Sequence, residues 1–204
     1  MSETMTLPEQ GFPDRKEYWS KKIDGKTVSE IAEIIADYEK RATRDELTGL
    51  LNKSEFGNQF KALSEAAIRR QSSLYVIYFD FDDLKYVNDT KGHGAGNELL
   101  QTGCEILKSS LRTSDLLGRI GGDEFAAALE IDKAVGDKTF QIEEIAQRVI
   151  SELEDSGISI SLGLSEYKEG ESLNDALDKA ERNMKLDKTD RRVGRDFIKE
   201  KQNA

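Results

Sequence analysis

The stretch RIGGDEFAAAL, Arg119 to Leu129, constrains this chain more than any other. It lies within DLLGRIGGDEFAAALEI, which reads as two apolar strands joined by a turn at Gly121-Gly122. Asp123 and Glu124 stand at that turn, beside an apolar run that has to be buried. Adjacent carboxylates next to a core are costly unless water or an opposite charge meets them. The chain must therefore fold so that one end of a hairpin presents acidic groups while the rest of the hairpin is covered.

The flanking sequence supplies the cover. SEFGNQFKALSEAAIRR, NELLQTGCEILKSSL, FQIEEIAQRVISELE and SLNDALDKAERNMKLDK each carry apolar residues at helical spacing. SLYVIYFDF is apolar enough for a central strand, GISISLGLSEY is a further strand, and RDFIKE a short closing one. The order is α-β-α-β-β-α-β-α-β, which predicts a layered α/β sheet with flanking helices. Upstream, Thr27 and Glu30 have capping-box spacing. Val28, Ile31, Ile35, Tyr38 and Ala42 then form one apolar seam. A helix packed on its own domain and a dimer stalk explain the seam equally well. Both prolines, Pro8 and Pro13, fall in a polar opening segment expected to be mobile, apart from Tyr18 and Trp19. The predicted organisation is a mobile segment over 1–26, a helical stalk over 27–43 and the main domain over 44–204.

Composition narrows the partners. The 204 residues are 37% hydrophobic and 34% charged, with a formal net charge of −10. So acidic a surface disfavours nucleic acid and anionic membrane as partners of the general field. Phosphates remain accessible through local cations or metal ions. The one cysteine, Cys104, sits among apolar residues and reads as core. No run reaches about 18 apolar residues and no signal-peptide pattern opens the chain, which predicts a cytoplasmic location without a membrane span.

Asp80 ends the strand YVIYFDF. If the hairpin is central and neighbours that strand, Asp80 and Asp123 meet at one edge of the sheet. Converging carboxylates there suit a hard cation, Mg²⁺ or Mn²⁺, of the kind that also binds substrate phosphates. The two glycines let a phosphate approach the turn backbone. From spacing alone, a polar hairpin turn accounts for Asp123 and Glu124 equally well.

GGDEF, Gly121 to Phe125, resembles the signature of the GGDEF-domain diguanylate cyclase family. Other motifs follow in the family's order. RDELTGLLNKSEF, Arg44 to Phe56, is similar to its D-x-L-T-G-L-x-N-R opening, with Lys53 for arginine. FDFDDLKYVNDTKGHGAG, Phe79 to Gly96, resembles the strand and loop that carry its metal and guanine contacts. RTSD, Arg112 to Asp115, resembles its R-x-x-D inhibitory motif. The matches cover about residues 44 to 198.

The resemblance implies a palm-like sheet of about five strands, as in nucleotidyl cyclases and some polymerases. It implies condensation of two GTP to cyclic di-GMP across a homodimer, with two Mg²⁺ or Mn²⁺ ions per active site. By the same resemblance Asp80, the Phe81 carbonyl and Asp123 hold metal, and Asp123 also takes the 3′-hydroxyl proton. Lys85 steadies phosphate charge and Glu124 supports. Asn88, His93, Asn97, Gly121, Gly122, Lys188 and Arg192 form the substrate pocket. Arg112 and Asp115 form a product-inhibition site. Residues 1–43 remain open as a dimerising stalk or a segment for a sensor or partner protein. Three departures stand out: Asn97 for the guanine-gripping aspartate, Glu181 for aspartate, and Arg191 for the glycine of K-x-x-G-R, which leaves Arg191, Arg192 and Arg195 all eligible for the triphosphate. Two other readings follow: a cyclase of relaxed base choice that also makes cyclic GMP–AMP, and a catalytically silent cyclic di-GMP- or GTP-binding module.

Overall fold

The computed structural model describes residues 15–132 and 138–186. The chain divides into two compact units, 1–41 and 42–204.

In the first unit, α1 (Arg15–Ile23) precedes α2 (Val28–Thr43), whose last residues enter the second. The capping box forms as the spacing predicts. The Thr27 amide donates to Glu30 Oε2 at 2.7 Å, and the Glu30 amide donates to Thr27 Oγ1 at 3.3 Å. Trp19, expected to dock, lies 4.7 Å from the Tyr38 ring, and Lys22 Nζ donates to the Tyr38 hydroxyl at 3.2 Å. The Tyr18 and Tyr38 hydroxyls also bond to each other. No residue of α2 is buried; Val28 is 85% exposed and Ile35 46%.

The second unit is a sheet with helices on both faces. Its elements are β1 (Leu51–Asn52), α3 (Lys53–Arg70), β2 (Ser73–Phe81), α4 (Leu84–Lys91), α5 (His93–Ser110), β3 (Leu116–Arg119), β4 (Glu124–Ile131), α6 (Lys138–Asp155) and β5 (Ile160–Glu166). A last helix, α7, runs over 173–186. The strand order is β1-β3-β4-β2-β5; β1 runs parallel to β3 and every other pair is antiparallel. The hairpin strand β4 does neighbour β2, as the carboxylate argument required. The continuous apolar run of β2 follows from its central place, with β4 on one side and β5 on the other.

Side chains alternate across the sheet. Ile77, Phe79 and Phe81 of β2, with Phe125, Ala127 and Leu129 of β4, pack on Leu100, Cys104 and Leu107 of α5 and on Val149 and Leu153 of α6. Leu74, Val76 and Tyr78, with Ala126 and Ala128, pack on Phe56, Phe60 and Ala67 of α3 and on Leu177, Ala180 and Met184 of α7.

Two elements escape the sequence pattern. β1 has two residues, too few to show any period. α4 is a separate short helix where the sequence reads as a loop, because Gly92, at φ 85°, parts it from α5. The closing strand expected at RDFIKE lies outside the described residues.

Cys104 is fully buried against β2 and β4, and burial pushes its thiol up to about 12. It stays protonated and unreactive at neutral pH. A thiol reagent should therefore label Cys104 only at the rate of global unfolding, read by mass spectrometry across a urea series. Fast labelling in native buffer would show that α5 lifts from the sheet on its own.

Candidate active site

The chain leaves β3 at Arg119 and enters β4 at Glu124. The amides of Ile120 and Gly121 both donate to the Glu124 carbonyl, at 2.9 and 3.2 Å, which closes the turn. Arg119 then folds back over it. Nε and Nη2 donate to the Gly122 carbonyl at 3.1 and 2.6 Å, and Nη1 donates to both oxygens of Asp45 at 3.1 and 3.2 Å. Asp45 also accepts from the amide and hydroxyl of Thr48, at 2.9 and 2.8 Å. Burial alone would raise the Asp45 pKa; the two Thr48 bonds and the Arg119 guanidinium outweigh it and hold the carboxyl below its ordinary value. A guanidinium with donors on two sides suits this double grip. The Gly-Gly turn is thus tied to the segment that opens the domain. Sequence reasoning gave neither Arg119 nor Asp45 a role, because a pair 74 positions apart carries no spacing signal.

The register of β2 on β4 places Asp80 directly opposite Glu124. Side chains at opposed positions leave the same face, so these two carboxylates meet across the strand ends. Asp123, one residue earlier, is exposed and lines a cleft with α4 and α5. Glu124 Oε2 lies over Gly121 so closely that a Cβ there would stand 2.0 Å from it. The first glycine of the pair therefore leaves room for the carboxylate. Burial and the nearby Glu124 carboxylate push the Tyr78 phenol far above its ordinary range, so it stays protonated.

The cleft encloses about 250 Å³. Asn88 comes from α4, His93 and Asn97 from α5, and Gly122 and Asp123 from the turn. Its position depends on how the chain leaves β2. The Asp82 carboxylate accepts from the hydroxyls of Ser159 and Ser161, at 3.1 and 3.0 Å, and its amide donates to the Ser159 carbonyl at 3.0 Å. Asp83 follows in the left-handed region at φ 61° and starts α4. The Asn88 carbonyl oxygen packs onto Gly96, 2.0 Å from where a Cβ would stand. Any larger residue at 96 would push Asn88 away. Lys85 sits exposed on the first turn of α4 and is not among the residues lining the cleft. The carbonyl expected to assist, that of Phe81, belongs to the last residue of β2. Lys188, Arg191, Arg192 and Arg195 lie outside the described residues.

A second cleft, of about 370 Å³, lies at the opposite end of β3. Arg44, Gln59, Lys108, Arg112 and Asp115 line it. The Arg112 amide donates to Asp115 Oδ2 at 2.9 Å, and burial raises the Asp115 carboxyl against that bond.

Among the described residues no three acidic, histidine or cysteine side chains stand close enough to hold a metal by themselves. Mg²⁺ usually binds through one or two carboxylates and completes its shell with water and substrate phosphates. The oxygens of Asp80, Asp123 and Glu124 are hard donors of that kind.

The Arg119 brace yields a measurable coupling. Asp45→Asn and Arg119→Gln should each destabilise the fold, and a double-mutant cycle in urea should give a coupling of about 1–2 kcal/mol at pH 7. A carboxyl depressed in the folded state stabilises above its unfolded value, about pH 4, and loses that contribution as pH falls through the folded value. The gap between wild type and Asp45→Asn should therefore shrink below about pH 4. A gap that persists at pH 2 would contradict the charged brace.

Comparison with known proteins places this geometry. The family model described as "Diguanylate cyclase, GGDEF domain" matches residues 42–193. Probable diguanylate cyclase DgcE of Escherichia coli is 35% identical over 128 residues, covering 63% of this chain and 11% of the relative. Cyclic di-GMP phosphodiesterase PdeB of Shewanella oneidensis is 35% identical over 127 residues, covering 62% of this chain and 14% of the relative. Among solved structures, a sensory box/GGDEF family protein of Caulobacter crescentus is 30% identical with a TM-score of 0.66, covering 72% of this chain and 99% of that one. The chain thus spans a small part of DgcE and of PdeB. With the signature at the hairpin turn, the five-stranded sheet and the family model agreeing, the chain belongs to the GGDEF-domain family of diguanylate cyclases.

Proposed function

We propose that the chain condenses two GTP molecules to cyclic di-GMP and two pyrophosphates. The observation that carries this reading is the cleft where Asn88, His93, Asn97, Gly122 and Asp123 meet, beside the opposed Asp80 and Glu124. The amides of Asn88 and Asn97 hold the guanine edge, since an amide both donates and accepts. His93 borders the same pocket. The backbone of Gly121 and Gly122 receives a phosphate. The 3′-oxygen of one GTP forms a bond to the α-phosphorus of the other and its proton passes to Asp123. The α–β anhydride bond breaks and its electron pair leaves with pyrophosphate. The same exchange in the opposite direction closes the ring. Two Mg²⁺ or Mn²⁺ ions, held by Asp80, the Phe81 carbonyl and Asp123 with Glu124 in support, would neutralise the triphosphate and lower the barrier as Lewis acids. Lys85 adds positive charge to the phosphates in the transition state, and Lys188 with Arg192 grips the triphosphate.

One cleft holds one GTP, so two chains must face each other. The uncovered apolar residues Val28 and Ile35 of α2 support a pairing stalk. Arg112, with Asp115 beside it, offers the second cleft a bidentate donor for a cyclic dinucleotide phosphate or guanine, which gives product inhibition. Residues 1–43 also serve a sensor or partner protein under this reading.

Incubation with GTP and Mg²⁺ followed by product chromatography should give cyclic di-GMP. Asp123→Asn should lower the rate at least about a hundredfold while leaving thermal stability unchanged, because an exposed turn residue seldom supports the fold. A wild-type protein that binds cyclic di-GMP or GTP yet forms no product would leave the silent binding module standing.

A second reading rests on Asn97. A carboxylate at this position accepts from both guanine N1–H and the amino group; an amide supplies one acceptor and one donor. The lost contact costs about 1–3 kcal/mol, and the new donor suits adenine N1. Asn88 still matches guanine, so GTP remains preferred. With equal GTP and ATP, the wild type should yield some mixed cyclic GMP–AMP and Asn97→Asp should yield less. A product free of adenine from the wild type would remove this reading.

A further inference from the structure

α4 brings Asn88 to the cleft, yet little in its own sequence holds it in place. It has eight residues, and a helix that short does not persist in water without tertiary contacts. Its N-cap residue, Asp83, makes no side-chain cap bond, and its first turn carries no acidic residue. Asp83 also sits in the left-handed region at φ 61°, a conformation that needs support from its surroundings. Leu84 packs into the core, but apolar packing carries no direction.

The directional contacts come one residue earlier. The Asp82 amide donates to the Ser159 carbonyl at 3.0 Å, one step past the β2–β5 ladder, whose last pair is Phe81 with Ile160. The Asp82 carboxylate accepts from Ser159 Oγ at 3.1 Å and from Ser161 Oγ at 3.0 Å to one oxygen and 3.1 Å to the other. Ser161 is 4% exposed and stands opposite Asp80 in register, so its hydroxyl reaches along the strand to Asp82. Two hydroxyls and one carbonyl of the β5 entry thus grip a single half-buried residue. Downstream, the Val87 amide donates to the Asp83 carbonyl at 2.9 Å, which ties the first turn of α4 to this anchor. Asn88 follows within two turns, seated on Gly96 of α5. A change of angle at Asp82 is therefore carried to Asn88 through the helix.

We infer that Asp82 is a positioning residue: clamped by Ser159 and Ser161, it aims α4 so that the Asn88 amide meets the base of the bound nucleotide at one angle. The nucleotide in this statement rests on the cyclase reading; the clamp does not.

Ser159→Ala/Ser161→Ala removes both hydroxyl donors with the least change of shape, and Asp82→Ala removes the acceptor. Two measurements on the full chain separate aiming from plain stability. Hydrogen exchange read by mass spectrometry should rise about tenfold in α4, with β2 and β4 little changed. In titration calorimetry with Mg²⁺, the affinity for a non-hydrolysable GTP analogue should fall about tenfold and that for the matching ATP analogue less, so base preference narrows. Ser159→Thr keeps a hydroxyl at a half-buried position and should retain wild-type values in both. In an Asp82→Ala background, the serine substitutions should add nothing further. Unchanged exchange in α4, exchange that rises equally across the sheet, or an unchanged base preference would each overturn the proposal. A wild type that prefers the GTP analogue yet makes no cyclic dinucleotide would sink the cyclase reading, while the same two measurements still decide Asp82. A wild type with no preference for the GTP analogue would remove both.

Discussion

The antiparallel register between β2 and β4, from Ser73 opposite Ile131 to Asp80 opposite Glu124, sets everything that follows. Strand side chains alternate with a period of two, so a slip of one residue would exchange every buried and exposed position. In this register Phe79 and Phe125 share one buried face, with Val76 and Ala128 on the other. At the end of the ladder the same register leaves Asp80 and Glu124 facing each other, while Asp123 belongs to the turn. The packing of the core and the placement of the carboxylates are therefore one constraint. The core can keep its phenylalanines covered only by bringing the charges together.

That juxtaposition is unfavourable by itself, and the surrounding structure manages it with hydrogen bonds from several directions. Arg119 grips the Gly122 carbonyl and reaches Asp45, so the turn moves with the opening segment of the domain. The serines of the β5 entry hold Asp82, which sets where the chain leaves β2 and so where α4 begins. Each contact restricts one part of the site. A site fixed in this way needs little rearrangement when a charged ligand arrives, which is the basis of electrostatic preorganisation. At a net −10 the protein offers no general attraction to phosphates, so any phosphate group would have to be met by local cations.

Much of this is legible in the sequence. The long helices and the three longer strands follow from apolar spacing, and the centrality of β2 follows from its unbroken apolar run. The Thr27–Glu30 capping box forms as its spacing predicts. Asn88, His93 and Asn97, which the motifs single out, line one cleft with Gly122 and Asp123. What was missed has physical causes. β1 is too short for a period, and α4 is hidden in a polar stretch whose helicity depends on Gly92 and on the left-handed turn at Asp83.

The sequence by itself determined the class of the chain: alternating elements, a hairpin with two carboxylates at a Gly-Gly turn, and motifs that identify a GGDEF domain. These are local properties, carried by periodicity and by residues adjacent in the chain. Tertiary structure alone decided the partners. It made Glu124 the residue across from Asp80 and joined Arg119 to Asp45 over 74 positions. Such pairings depend on strand register and on which helix crosses which strand end. Those are set by the packing of the whole core, and no short window of sequence contains it.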